Sequence, residues 1–84
     1  MSRKRFNEAN VRPVLDLIDA QIRQARFDIL KAELEGTHAM RFSFSSGTHR
    51  AQLMGVTGTG AMGERDAVDS WARAARRRLL RENG

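Results

Sequence analysis

Gly58-Thr59-Gly60-Ala61-Met62-Gly63 spells G-x-G-x-x-G, preceded by a strand-like run (Ala51 to Thr57) and followed by a helix-like one. Taken alone, the six residues are a dinucleotide-binding fingerprint, with glycines for a tight turn and close approach of a pyrophosphate. That fingerprint works only inside a β-α-β unit, with an acidic residue roughly 20 positions on, at the end of a second parallel strand. Residues 64–84 read as one helix instead. The sequence therefore offers no strand for the ribose ligand, no dinucleotide cofactor is expected, and the glycines read as a flexible turn between strand and helix.

Eighty-four residues make one domain, able to bury only about 60% of its unfolded surface. The absence of cysteine removes disulfides and thiolate metal sites. His38 and His49 are too few for a structural zinc site without several carboxylates, so no metal is expected. No apolar run approaches the roughly 20 residues of a membrane span and no signal-peptide core follows the start, which gives a cytoplasmic expectation with no membrane partner. The net charge of +5 favours acidic partners, either nucleic acid or an acidic protein face. Thirteen of the fifteen basic residues are arginine, which suits phosphate and carboxylate recognition and equally follows from a GC-rich genome.

Residues 1–9 lack apolar periodicity, carry Arg3, Lys4 and Arg5, and read as a flexible basic arm ahead of a single domain over 10–84. Asn10 reads as an N-cap with Pro13 in the first turn, and Gly36 as the residue just past the helix end. Between them Val11, Leu15, Ile18, Ile22, Ala25, Ile29 and Ala32 form a heptad seam. Val14, Leu17, Phe27, Leu30 and Leu34 widen that surface. A helix over 10–35 would be about 37 Å long, against a diameter of about 30 Å for a globule of this size, which predicts a homodimer packed along it.

Met40, Phe42 and Phe44 alternate with Arg41, Ser43 and Ser45, the pattern of a strand with one buried face. A Ser46-Gly47 turn would pair Phe44 with His49, Phe42 with Ala51 and Met40 with Leu53, burying those apolar residues together. Arg41, Ser43, Arg50 and Gln52 then share the outer face. Glu64 to about Arg81 reads as a helix burying Ala67, Val68, Trp71, Ala72, Ala75 and Leu79. The predicted fold is α+β in the order α-β-β-α, a long N-terminal and a C-terminal helix packed on an antiparallel hairpin.

No nucleophile elbow, zinc-protease motif, cysteine or tyrosine is present, and Ser43, Ser45 and Ser46 serve turn chemistry, so no enzyme is expected. The suggestive groups are basic: Arg41 and Arg50 on the hairpin, and Arg73, Arg76, Arg77 and Arg81 on the last helix. The helix row could follow a phosphate backbone. It also suits the helix dipole, with Glu64, Asp66 and Asp69 in the first turns and Asp69–Arg73 spaced as an ion pair.

From the hairpin through Gly58-x-Gly60 to the Ala-rich helix, about half the chain resembles the C-terminal part of a double-stranded-RNA-binding domain. That resemblance implies three strands, and lysines directly after the glycine pair to grip phosphates. Ala61-Met62-Gly63-Glu64 stands in their place. In whole-chain character, short, Arg-rich, cysteine-free and without catalytic groups, the sequence resembles small phage or prophage accessory proteins of the anti-CRISPR type. This implies an inhibitor that binds a host protein or ribonucleoprotein complex and blocks nucleic-acid capture. Direct DNA or RNA binding is the alternative.

Overall fold

Asn7, not Asn10, opens the first helix. In the computed structural model, which describes residues 5–23 and 26–83, the extended Asn7 accepts the Asn10 backbone N–H on its side-chain oxygen at 2.8 Å. This satisfies one of the orphan donors of a helix start. Helix α1 runs Glu8–Gln21, which places Pro13 inside the helix rather than in its first turn. Pro13 lacks the N–H that would bond the Ala9 carbonyl; both residues are exposed. Phe6 is buried against the core and the Arg78 guanidinium lies 4.2 Å from its ring centroid. Residues 5–9 of the expected arm thus belong to the folded body, while Arg3 and Lys4 lie outside the described residues.

The expected helix over 10–35 is two helices. After α1, helix α2 spans Phe27–Thr37. No glycine or proline lies between them to mark the break in the sequence. The body measures 33 × 28 × 25 Å, and one straight helix would outreach it. The interruption resets the helical phase. Val11, Leu15 and Ile18 of the seam point into the core from α1, whereas α2 buries Leu30 and Leu34 from the second set and leaves Ile29 half exposed. The α1 members of the seam are spent in the core, and those on α2 do not continue the same buried face.

Gly36 is helical, so the expected glycine stop is also corrected. Ala39 takes the left-handed conformation instead (φ 59°), and the Met40 N–H donates back to the Leu34 carbonyl at 2.9 Å. A Cβ in this region costs about 1–2 kcal/mol, partly offset in alanine by a smaller loss of backbone freedom. Ala39→Gly is therefore expected to stabilise the protein by about 1 kcal/mol and to raise its melting temperature by roughly 4–8 °C. Thermal unfolding followed by circular dichroism checks this; an unchanged or lower midpoint contradicts it.

Three antiparallel strands follow, β1 (Arg41–Ser45), β2 (Thr48–Leu53) and β3 (Val56–Gly60), in the order β1-β2-β3. The expected α-β-β-α order is corrected to α-α-β-β-β-α, still an α+β fold. Ser46-Gly47 and Met54-Gly55 close the two hairpins, all four residues at positive φ, as two-residue hairpin turns that match the strand twist require. The β1–β2 register pairs Phe44 with His49 and Phe42 with Ala51, as read from the pattern. Burial departs from expectation at Phe44, which is 62% exposed and rests on the His49 ring, centroids 4.5 Å apart.

Helix α3 (Glu64–Asn83) packs across β2 and β3, and this contact explains the glycine motif. Gly58 and Gly60 are not a turn. They occupy the inner face of β3, alternating with exposed Thr57 and Thr59. A Cβ added at Gly58 would lie 2.2 Å from the Trp71 backbone nitrogen and 2.3 Å from the Ala67 carbonyl oxygen; one at Gly60 would lie 2.6 Å from the Ala67 nitrogen. The helix rests directly on the strand backbone. Trp71 is fully buried beside this contact and its indole N–H donates to the Leu53 carbonyl at 3.2 Å. Lys31 joins α2 to α3 through Glu64 at 2.6 Å, a hydrogen bond that raises the Lys31 pKa above its ordinary value. Among the described residues no helix is long and apolar enough to cross a membrane.

Candidate anion-binding face

The side chains of β1, β2 and β3 that point away from the helices form a bare polar face. Across the strands, Arg41 stands opposite Gln52 and Gln52 opposite Thr57; Ser43 stands opposite Arg50 and Arg50 opposite Thr59. All six are exposed. No carboxylate and no apolar side chain interrupts these two rows. The Gln52 amide nitrogen reaches the Thr57 hydroxyl at 3.5 Å. Arg41 and Arg50 are diagonal neighbours, their backbones about 7–8 Å apart by sheet geometry, and neither has an ion-pair partner among the described residues.

The helical arginines are placed differently. Arg73 is paired with Asp69 at 3.1 Å, and Arg76 with Asp19 of α1. Only Arg77 and Arg81 of the expected row lack an ion pair among the described residues. Since α3 covers the inner face of the sheet with Trp71 and Ala75, its exposed side faces away from Arg41 and Arg50. The six arginines thus lie on two surfaces, and among the described residues the sheet rows are free of acids.

Two basic residues near this face were not singled out by sequence reading. Arg5 was assigned to the arm. Arg78, on the last helix, lies on the flank of the buried face, seven residues after Trp71, where it covers Phe6. That helical offset was a usable signal. His49 lies on the inner face and Ser43 on the outer, so the sheet separates them. Among the described residues, no group of His, Asp and Glu side chains is arranged to hold a metal ion.

In comparisons with protein-family models, curated proteins and solved structures, the chain finds no match.

Proposed function

We propose that this protein is a non-enzymatic binding module that takes the phosphate backbone of a nucleic acid on the outer face of its sheet. The observation that carries this reading is the acid-free outer face, with Arg41 and Arg50 unpaired on rigid strands among hydroxyl and amide groups. Protein–protein interfaces have an apolar centre, and this face has none. Backbone contacts to nucleic acid are made by arginine, serine, threonine and glutamine side chains, which is the composition here. The place of action would be the cytoplasm.

A second reading keeps the inhibitor of a nucleic-acid-handling host complex, of the anti-CRISPR type. Phe44 (62% exposed) and Met62 (90% exposed) favour it, since exposed apolar side chains suit a protein contact.

Fluorescence anisotropy with random-sequence DNA across a salt series separates the two readings. Neutralising phosphates at Arg41 and Arg50 predicts a log-log slope of affinity against salt of about −2 for duplex. A flat slope, or no binding at low salt, overturns the direct reading. Loss of a complex with the host assembly on Phe44→Ser would then support the inhibitor.

A further inference from the structure

Where β2 turns into β3, a groove of about 1050 Å³ lies between Arg5 and Phe6, the link from α2 to β1, and the Met54-Gly55 turn. Its cations include Arg5, Arg41 and Arg78, and among the described residues no carboxylate lines it. Leu53 and Met54 supply half-buried apolar surface, while Phe6 lies buried beneath Arg78. Arg78 is held in place there. Its guanidinium covers the Phe6 ring, its Nε is 3.5 Å from Glu82, and its Nη1 would lie 3.5 Å from a Cβ at Gly55, a position whose φ of 76° favours glycine.

The groove is continuous with the outer face. Arg41, Gln52 and Thr57 form one cross-strand row of that face and also line the groove. An anionic chain lying on the sheet would reach the groove without leaving the cations. We infer that the groove takes an unpaired nucleotide of a single strand, with its base against Leu53 and Met54 and its flanking phosphates at Arg5, Arg41 and Arg78. This inference rests on the nucleic-acid reading above. The groove is larger than a typical small-molecule site and has room for a base with its sugar and phosphates. A base inside a duplex is stacked and paired, and entering the groove would require its extrusion. An acidic peptide would satisfy the arginines, but its carboxylate side chains bring no planar apolar group to Leu53 and Met54.

The test uses four labelled probes against the full chain: a short oligothymidylate, an abasic phosphodiester of the same length, a blunt duplex and an oligoglutamate. The base-bearing single strand is expected to bind about tenfold more tightly than the abasic chain, because only the base can bury apolar surface against Leu53 and Met54. Arg5→Ser, at an exposed position, and Arg78→Gln should each weaken single-strand binding several-fold more than duplex binding. If Arg78→Gln loosens the packing of Phe6, Arg5→Ser still decides. The fluorescence of Trp71, whose indole holds the Leu53 carbonyl, should shift with the single strand only. Equal affinity for base-bearing and abasic chains overturns the groove assignment while the sheet-face reading stands. Failure of every nucleic-acid probe overturns both. Tightest binding to oligoglutamate overturns the nucleotide in favour of an acidic peptide.

Discussion

Gly58→Ala is expected to abolish the folded state. The added Cβ would sit 2.2 Å from the Trp71 nitrogen and 2.3 Å from the Ala67 carbonyl oxygen, both backbone atoms that cannot rotate away. Relief requires α3 to lift off β3, and the lift opens a gap around Trp71, Ala67 and Ala75, all fully buried. Overpacking a core ordinarily costs about 1–3 kcal/mol because side chains shift to accommodate it. Here no side chain can yield, and the cost should exceed about 4 kcal/mol. Stabilities of 5–15 kcal/mol are usual, and a domain this small lies toward the lower end. The neighbouring Thr59→Ala, on the exposed face of the same strand, should cost under about 1 kcal/mol. Urea unfolding of the two variants side by side measures the contrast. A cooperative Gly58→Ala variant with a near-native midpoint would show that the helix tolerates a side chain beneath it.

The same glycines explain what was legible in the sequence. Strand β3 has an alternating burial pattern, but its inner face is written Val56, Gly58, Gly60, and two of those three carry no apolar side chain to count. Hydrophobic periodicity therefore passes over the strand and reports a loop. The β1–β2 register was legible because Phe42 and Ala51 share one face and Arg41, Ser43, Arg50 and Gln52 the other. The last helix was legible from the spacing around Trp71. The break between α1 and α2 was not, since Ile22 to Arg26 contains no glycine or proline to announce it. At the candidate site, period-2 alternation was enough to place Arg41 and Arg50 together. It could not report that Asp19, far away in sequence, pairs with Arg76, nor that Phe6 brings the N-terminal segment beside Arg78.

Reversing Arg41 and Arg50 to Glu should lower nucleic-acid affinity by about a hundredfold or more. Each arginine–phosphate contact is a charge-assisted hydrogen bond worth about 1.5–3 kcal/mol, and a carboxylate in its place adds repulsion. Two such losses span about two to four decades of affinity. Folding should change little, because both side chains are exposed and unpaired, and such surface substitutions fall within about 0.5 kcal/mol. The double reversal also lowers the net charge from +5 to +1, which would weaken binding to any polyanion through the long-range field. Reversing Arg73 and Arg77 produces the same change in net charge on the other surface and isolates the field effect, expected at less than about tenfold. The sheet variant should also lose about 2 from its duplex salt slope, whereas the helix variant should keep the native slope. Equal losses in both variants would assign binding to the overall field, and a larger loss in the helix variant would move the partner to α3. With both variants confirmed as folded by circular dichroism, an unweakened sheet variant would leave Arg41 and Arg50 as ordinary solvated side chains.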